Sequence, residues 1–435
     1  MPVFKAYDLR GRYPTEIDES FAERLGGAVT RFLKARRLGL GRDVRLSAPA
    51  IAAAFAKGAD CEIVDIGLCT TPMLYYAVGH LGLDGGVMVT ASHNPPQDIG
   101  FKICGAQAFP IGEQTGLKEV ERLCAQPAPG GSRVTTLSLL SEYRTHLRKQ
   151  IEKAPKLKIA IDTAHGAVGA HFDALFADLP VEFVRLCWEP DGNFPSHEPN
   201  PLKDENIRDL QAAMKQTGAD LGVAFDGDGD RCMFLGPGGV RIGCDHVTVL
   251  LARSELRRHP GSAIVYDLRS SRVVPEEIRK AGGRPIRDRV GHSFIKETMK
   301  KNDAVFGGEL SGHFYFREHY FADSGLMAFA KMLDLLGREG RPIDDLLAPL
   351  RRTSATGEIN FKVADKAGLM KSLAAAFKDG RQDTLDGITI EYDDWWFNVR
   401  PSNTEPFLRL NLEAATPELL ERCRARLYSM LGSPV

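Results

Sequence analysis

The sequence predicts an α/β protein followed by a smaller antiparallel α+β unit, and three observations support that prediction. Over the first 350 residues, short apolar runs rich in β-branched residues alternate with amphipathic helical patterns, as in parallel sheets covered by helices on both faces. The chain has 435 residues, enough for about three domains, or four small ones, at ~150 residues per domain. After about residue 352 the pattern changes to facing strands bounded by two helices, which is typical of a small antiparallel unit.

The apolar runs and the helical patterns predict the elements in chain order. In the first part, strands are expected at Val44–Ser47, Glu62–Ile66, Gly86–Thr90, Lys158–Asp162, Leu221–Phe225, Ala263–Asp267 and Ala304–Phe306. Helices are expected between them at Phe21–Arg36, Leu139–Glu152, Glu205–Gln216 and Val274–Ala281. In the last part, the strands are GEINFKV, ITIEYDD, WWFNVRP and FLRLNLEA, with helices at Lys366–Lys378 and Pro417–Leu431.

Two breaks and one change of pattern divide the chain. The loop Gln126–Ser132 precedes a helix that Pro155 closes, and the segment Arg257–Gly261 has the composition of a second loop. We therefore expect domains at residues 1–150, 151–256, 257–352 and 353–435. A weak internal similarity among VMVTASH, KIAIDTAHG and AIVYDLRSS, each a strand running into a polar loop, suggests duplicated α/β units.

Composition excludes several classes of protein. Hydrophobic residues make up 43% and charged residues 26% of the chain, which is ordinary for a globular protein and unlike a disordered one. The formal net charge of -1 argues against a general nucleic-acid binder, which normally has a basic excess. No apolar run reaches the ~20 residues of a membrane helix, and we see no signal peptide. A cytoplasmic protein with neither a nucleic-acid nor a membrane partner is expected.

The eight cysteines have no CxxC pairing and no regular spacing. In a chain of this length that pattern favours buried, reduced thiols over a zinc site or a disulfide framework.

The segment DGDGDR, residues 226–231, is the sharpest local signal. It directly follows the strand LGVAF, at the end where α/β proteins place ligands. Carboxylates of Asp226, Asp228 and Asp230, spaced by glycines, can converge on one hard cation such as Mg²⁺. An EF-hand loop is excluded, because Arg231 stands where glycine is needed and Pro237 where glutamate is needed. An acidic surface turn is the plain alternative.

Three other segments follow a strand or connect two strands, and each of them taken alone is weaker evidence for a functional site. TASHNP displays Ser92 on a tight turn, without the G-x-S-x-G elbow of a serine hydrolase. Taken by itself, this motif is also compatible with a serine hydroxyl that only forms hydrogen bonds with the loop backbone. RPSNTEP combines an arginine, hydroxyls and turn amides, which suits a phosphate, although an ordinary turn is equally possible. In GELSGH, Glu309 and Ser311 could hold vicinal sugar hydroxyls or cap a turn. The sequence contains neither a P-loop nor a convincing G-x-G-x-x-G after a strand, which argues against kinases and dehydrogenases.

In this order, the motifs resemble those of the α-D-phosphohexomutase family, most of all its bacterial phosphomannomutase/phosphoglucomutase branch. The similarity extends from KAYDLRG at the start, through TASHNP, GFK, DGDGDR and GELSGH, to RPSNTEP, and so covers nearly the whole chain. The resemblance implies three similar α/β (αβα) domains and a smaller fourth domain around a central cleft. It also implies a phosphoserine at Ser92 and an enzyme that interconverts hexose 1-phosphates and 6-phosphates.

The resemblance assigns roles residue by residue. Catalytic roles fall on Ser92, Lys102, Arg231 and His313. Mg²⁺ would be bound by Ser92, through its phosphate, and by Asp226, Asp228 and Asp230. Substrate would be bound by Tyr7, Arg10, Arg269, His292, Glu309, Ser311, Arg400, Ser402, Asn403 and Thr404. Two positions depart from the family pattern, Ile99 before Gly100 and Arg269 in place of an expected lysine; Arg keeps the charge but changes the geometry.

The expected reaction passes a phosphoryl group from phospho-Ser92 to a hexose phosphate, with a hexose 1,6-bisphosphate as intermediate and activator. The partner is a small phosphosugar, and the protein is expected to be a monomer or homodimer. The nearest alternative is a phosphoglucosamine mutase, whose loop usually reads SGTEP where this chain has SNTEP. A Mg²⁺-dependent phosphatase and a sugar-phosphate-binding protein without catalysis are further alternatives.

Overall fold

Four mixed or antiparallel sheets, each with its own helices, make up the computed structural model, which describes residues 3–402 and 407–435. The first sheet has the strand order β1-β5-β4-β2-β3-β6. Its elements are β1 (Leu9–Arg12), α1 (Glu19–Leu33), β2 (Arg37–Arg42), α2 (Ala48–Gly58), β3 (Glu62–Leu68), α3 (Thr71–His80), β4 (Gly85–Val89), β5 (Asp98–Gly105), α4 (Leu117–Leu123) and β6 (Arg133–Thr136).

The second and third sheets have the orders β11-β10-β9-β7-β8 and β13-β12-β14-β15-β16. The second comprises α5 (Leu140–Arg148), β7 (Lys158–Asp162), α6 (Phe172–Phe176), β8 (Glu182–Leu186), α7 (Arg208–Thr217), β9 (Leu221–Phe225), β10 (Cys232–Gly236) and β11 (Val240–Arg241). The third comprises α8 (Cys244–Arg258), β12 (Ala263–Asp267), α9 (Val273–Lys280), β13 (Arg284–Asp288), α10 (His292–Lys301), β14 (Phe306–Gly308), β15 (Phe314–Phe316), β16 (Ala322–Asp323), α11 (Gly325–Glu339) and α12 (Ile343–Leu347). Helix α8 packs mainly against α9 and β14.

The last sheet is fully antiparallel, with the order β17-β21-β20-β19-β18. Its elements are β17 (Ser354–Lys362), α13 (Lys366–Ala376), β18 (Arg381–Asp383), β19 (Ile388–Glu391), β20 (Trp395–Pro401), β21 (Phe407–Ala414) and α14 (Pro417–Leu431). The buried side chains of these strands and helices form a separate hydrophobic core. The predicted fold class, three α/β units and a smaller antiparallel α+β unit, is confirmed.

The first three sheets repeat one pattern of pairing. In each, one strand (β4, β9 or β14) pairs in parallel with a neighbour (β2, β7 or β12) on one side and antiparallel with the next strand along the chain (β5, β10 or β15) on the other. The three sequence segments that suggested duplicated units therefore do not all contain structurally equivalent strands. VMVTASH contains β4, whereas KIAIDTAHG and AIVYDLRSS contain β7 and β12, the equivalents of β2.

Parallel strands at the centre of these sheets are largely apolar because both faces are covered. Every residue of β4, β9 and β12 is buried. The helices carry ordinary start signals: Asp18 accepts a hydrogen bond from Phe21 N at 2.7 Å at the start of α1, and Thr70 caps α3. Most predicted elements match observed ones to within a few residues. Among the described residues, no helix has the length and apolar character that spanning a membrane requires.

The predicted strand Val44–Ser47 is wrong. The strand of this region is β2, which ends at Arg42, and the next residues turn into α2. Arg45 is 1% exposed, whereas its neighbour Leu46 is 70% exposed. Asp43 accepts a hydrogen bond from Arg45 N at 3.0 Å, which bends the chain and directs the arginine inward.

Candidate active site

Three chemically distinctive loops follow the three equivalent strands. Ser92 comes after β4, Asp226 directly after β9, and Glu309 directly after β14. The repeated topology therefore brings them to one place, because each of these strands ends at the same edge of its sheet. A cleft of about 1350 Å³ opens at this place. Nine of the predicted site residues line it: Tyr7, Arg10, Lys102, Asp230, Arg231, Arg269, His292, Ser311 and His313.

Ser92 contacts the acidic loop directly. Its Oγ donates a hydrogen bond to Asp226 Oδ2 at 2.8 Å, across 134 residues of sequence. The Ser92 backbone has a φ of 51°, in the left-handed region that costs a non-glycine residue roughly 1–2 kcal/mol. Its amide donates to Thr90 Oγ1 at 2.8 Å. The loop thus holds the hydroxyl in a strained position that presents it to the carboxylates.

Arg45 organises this serine loop, a role that no sequence pattern indicated. The buried guanidinium donates to four carbonyl oxygens of the loop, those of Ser92 at 3.0 Å, Asn94 at 2.7 Å, Pro95 at 2.6 Å and Asp98 at 2.8 Å. Asp43 pairs with Arg45 at 3.2 Å and accepts from Thr90 Oγ1 at 2.6 Å. One buried ion pair therefore fixes both ends of the turn that carries Ser92.

We expect Arg45→Gln to destabilise the protein by about 3–5 kcal/mol, because it leaves the Asp43 carboxylate buried without a partner. Thermal or urea unfolding measures this loss. Arg42→Gln is the matched control: Arg42 is partly exposed and lies 3.5 Å from Asp65, so its loss should change stability by less than about 1 kcal/mol. Equal stability of the two variants would contradict the role given to Arg45.

The carboxylates of Asp226, Asp228 and Asp230 form a buried cluster with one oxygen of each within 4.8 Å of the others. Asp228 Oδ1 and Asp230 Oδ1 are buried and accept no hydrogen bond from the described residues. Three buried acids that leave oxygens without donors are suited to a divalent cation. The donor set is all oxygen, which matches Mg²⁺.

Lys102 balances part of this negative charge. Its Nζ contacts Asp228 Oδ2 at 2.7 Å and also Asp230 Oδ2. Burial opposes the charged lysine, but the carboxylates of Asp228 and Asp230 raise its pKa above the ordinary value. Burial and the neighbouring carboxylates raise the pKa of Asp226 as well. Thr71 adds a hydrogen bond to Asp228 Oδ2 at 2.5 Å, a contact not foreseen from the sequence.

Arg231 and His313 join the acidic loop to the third sheet. Arg231 Nε donates to His313 Nε2 at 3.2 Å, and the same ring nitrogen lies 3.4 Å from Asp230 Oδ1. His313 Nδ1 lies 2.8 Å from Ser311 Oγ. Behind them, Asp323 forms a buried ion pair with Lys296 at 2.7 Å, a pair that sequence reasoning missed.

Glu309 is held by its own sheet. Its Oε1 accepts from Gly291 N at 3.0 Å, and its Oε2 accepts from the Tyr315 hydroxyl. Ser311, two residues later, lines the cleft. Tyr7 packs edge-on against His292, with ring centroids 5.3 Å apart. Arg10 donates to Asn94 Oδ1 at 2.6 Å, so it supports the serine loop as well as the cleft wall.

The arginines of the last two sheets converge on Glu358. Its carboxylate lies 2.7 Å from Arg400 Nη2, 3.1 Å from Arg409 Nη1 and 3.5 Å from Arg269 Nη1. Glu358 lines the cleft, whereas Arg400 is 1% exposed. Arg269 also pairs with Asp267 at 2.7 Å. The Ser402 amide donates to Phe407 O at 3.0 Å; the predicted residues Asn403 and Thr404 lie outside the described residues.

Gly100, in β5, explains why β1 can approach that strand closely. A Cβ at this position would lie 2.0 Å from the Leu9 carbonyl oxygen, so any other residue would push the two strands apart. Its neighbour Ile99, the departure noted in the sequence, is buried and pairs with Gly11. The isoleucine is therefore accommodated as a core residue of the sheet.

A buried serine hydroxyl on an acidic cluster, beside a cleft that Asp230 lines and that has arginines in its walls, is typical of a phosphoryl-transfer enzyme. Family models of the alpha/beta/alpha domains I, II and III of phosphoglucomutase/phosphomannomutase match residues 1–128, 141–239 and 244–353, and the model of the C-terminal domain matches residues 358–430. The chain belongs to the phosphoglucomutase/phosphomannomutase family, as the motifs suggested.

Similar proteins agree with this assignment. The chain is 40% identical over 443 residues to proteins named phosphohexose mutases from Xanthomonas campestris pv. campestris, with 99% of each chain covered. It is 39% identical over 454 residues to a phosphomannomutase from Salmonella montevideo, covering 100% of this chain and 99% of the other. A crystal structure of a phosphoglucomutase/phosphomannomutase family protein from Burkholderia thailandensis has a TM-score of 0.91 at 32% identity, covering 100% and 98% of the two chains.

Proposed function

We propose that the protein is a phosphohexomutase that interconverts hexose 1-phosphates and hexose 6-phosphates, with mannose and glucose phosphates as substrates. The observation that supports this most strongly is the 2.8 Å contact between Ser92 Oγ and Asp226. It joins a serine of one sheet to the acidic loop of the next, beside a cleft that Asp230 of this loop lines and that is large enough for a phosphosugar. The two relatives described above are named as mutases of this kind.

Asp226, Asp228 and Asp230 would hold Mg²⁺ together with a phosphate on Ser92. When bound, the ion neutralises charge on the transferring phosphoryl group. The protein's own residues would supply further positive charge and the proton transfer. Lys102, kept protonated by the acidic loop, offers a positive charge at the same point, and Arg231 extends that charge toward His313. In this role Lys102 is a charge stabiliser, and His313 is the candidate for moving a proton to or from the sugar hydroxyl.

The chemistry requires two half-reactions at one serine. Phospho-Ser92 gives its phosphoryl group to the free hydroxyl of the hexose phosphate, and the proton of that hydroxyl leaves. The hexose 1,6-bisphosphate then turns over in the cleft and returns its other phosphoryl group to Ser92. Tyr7, Arg10, His292, Glu309 and Ser311 would hold the sugar in both orientations. Arg269, Arg400, Ser402, Asn403 and Thr404 would receive the phosphate that does not react.

Product analysis separates the alternatives. We expect phosphorus NMR or a coupled assay to show isomerisation of mannose and glucose 1-phosphates, stimulated by trace hexose 1,6-bisphosphate. Release of inorganic phosphate without isomerised sugar would instead indicate a phosphatase. A higher kcat/KM for glucosamine phosphates than for mannose or glucose phosphates would favour the phosphoglucosamine mutase. Oligomeric state, whether monomer or homodimer, and a cytoplasmic location remain predictions.

Arg400→Ala is expected mainly to raise KM for phosphosugars, by about 10- to 100-fold, because a hydrogen bond between charged groups contributes ~1.5–3 kcal/mol. Steady-state kinetics measures the effect, and a melting curve checks that the buried position tolerates alanine.

The companion variant Glu358→Gln has an expected effect of opposite sign. The Glu358 carboxylate now holds the guanidinium of Arg400, and substrate phosphate would compete with it for that group. Glutamine keeps the shape and removes the charge, so KM should fall. An unchanged KM in both variants would place the phosphate site elsewhere.

A further inference from the structure

A second group of potential metal ligands lies at the carboxyl edge of the second sheet. Asp162 ends β7, Cys187 directly follows β8, and His197 lies in the loop that leads toward α7. One ligand atom from each lies within 4.8 Å of the others. None of the three lines the cleft, and the proposed reaction uses none of them.

The distances fit a tetrahedral metal. His197 Nε2 lies 3.0 Å from Asp162 Oδ2 and 3.6 Å from Cys187 Sγ. Bond lengths of zinc to nitrogen, oxygen and sulfur predict about 3.3 Å between nitrogen and oxygen ligands and about 3.5 Å between nitrogen and sulfur. The carboxylate and the thiol approach the same ring nitrogen. A Cys–His–Asp catalytic triad is therefore excluded, because a triad needs the acid on the opposite nitrogen.

Each ligand is oriented by a second contact. His197 Nδ1 lies 2.8 Å from the Glu198 carbonyl oxygen, and Asp162 Oδ1 accepts from Ala164 N at 2.8 Å. The Cys187 carbonyl accepts from Thr163 Oγ1 at 2.6 Å and from His165 N at 2.7 Å. Outer contacts of this kind fix the ring orientation and carboxylate geometry of metal ligands.

The equivalent aspartates of the first and third sheets have different partners from Asp162 of the second sheet. Asp43 and Asp267 occupy equivalent places after β2 and at the end of β12, and each accepts a hydrogen bond from the amide two residues on. Their outer oxygens hold the neighbouring catalytic loops, through Thr90 Oγ1 at 2.6 Å and Leu310 N at 2.8 Å. Asp162 keeps the same amide contact, but its outer oxygen faces His197 instead.

We propose that Asp162, Cys187 and His197 form a structural site for a divalent transition metal of the zinc class, with water as the fourth ligand. Thiolate and imidazole ligands select such a metal over Mg²⁺, which takes oxygen ligands. Binding displaces the thiol proton of Cys187 and the Nε2 proton of His197, which leave as solvent protons.

The position of the site suggests what the metal would stabilise. The loop after Asp162 reaches the acidic loop, since Ala167 N donates to Gly227 O at 2.9 Å. The loop between Cys187 and His197 reaches Arg45, whose guanidinium lies 5.2 Å from the Phe194 ring centroid. A metal at this point would tie together the supports of both catalytic loops. As a metal ligand Cys187 would still be reduced, in keeping with the expectation for the eight cysteines, none of which forms a disulfide.

Cobalt substitution tests the proposal on the full chain. The protein is stripped with EDTA, given excess Mg²⁺ to fill the acidic loop, and titrated with Co²⁺. We expect one equivalent of Co²⁺ to produce a near-ultraviolet thiolate-to-cobalt charge-transfer band, which an oxygen-only site cannot give. Zn²⁺ should displace the Co²⁺ and raise the melting temperature.

Matched variants assign the band to these residues. It should vanish in Cys187→Ser, and the Zn²⁺ affinity of His197→Gln should fall at least about 10-fold. The band should persist in Cys61→Ser, which alters the other half-buried cysteine, and in Asp228→Asn, which alters the acidic loop. Absence of the band in the wild type, or its persistence in Cys187→Ser, would overturn the proposal. Circular dichroism confirms that each variant is folded.

Discussion

Replacing Ser92 with alanine is expected to lower kcat/KM of the mutase reaction by at least about 10⁴-fold, a size typical when a covalent nucleophile is removed. The substitution removes the hydroxyl that donates to Asp226 and leaves no other group to carry the phosphoryl between half-reactions. Phosphosugar binding should survive, because the arginines and cleft residues are untouched. Steady-state kinetics and isothermal titration with a hexose phosphate measure the two effects separately.

Ser141→Ala provides the matched control, since Ser141 is exposed on α5, away from the cleft. Intact-mass analysis adds a second readout. Wild-type protein incubated with hexose 1,6-bisphosphate should gain one phosphoryl group, the Ser141 variant should gain the same, and Ser92→Ala should gain none. Mutase turnover that persists in Ser92→Ala would remove the serine from the reaction and with it the proposed mechanism.

The elements that the sequence predicted well are those in which local pattern and burial agree. Strands β4, β7, β9 and β12 have apolar centres because both faces of their sheets are covered, so continuous apolar runs identify them directly. The motif residues after β4, β9 and β14 could also be found, since a polar residue that ends a buried strand is conspicuous. Their convergence in one cleft follows from topology, which the motif order indicated through family resemblance.

What the sequence concealed are buried charges whose partners lie far along the chain. Arg45 was not singled out, because a surface arginine and a buried one look alike in sequence until the four carbonyls that surround it are known. Glu358 gave no signal either, although three arginines meet at its carboxylate. Cys187 and His197 stand ten residues apart without a motif spacing, and Asp162 comes from another strand. Such groups are set by tertiary contacts, which local composition does not report.

Removing the divalent cation is expected to silence the enzyme, and Mg²⁺ should restore it. Activity after treatment with EDTA should fall below detection, because three buried carboxylates without a cation repel the phosphate they are meant to receive. Asp226→Asn should show the same loss in the presence of Mg²⁺ and require far higher Mg²⁺ for any recovery. Asp209→Asn is the control, since Asp209 is an exposed residue in the first turn of α7.

Asp226→Asn should lose activity without losing stability relative to the metal-free wild type. In EDTA, Asp226→Asn removes one of three mutually repelling charges, while the asparagine oxygen can still accept from Arg231 N and its amide can donate to Ser92 Oγ. The variant should therefore unfold at an equal or higher urea concentration than the metal-free wild type. Added Mg²⁺ should stabilise the wild type, by about 2.7 kcal/mol at 100 times its Kd, and leave the stability of the variant unchanged.

Full mutase activity in EDTA, or equal stabilisation of both proteins by Mg²⁺, would contradict the metal site at the acidic loop. The cluster would then be a structural ion-pair network built on Lys102, and phosphoryl transfer in this cleft would depend on its lysine and arginines alone.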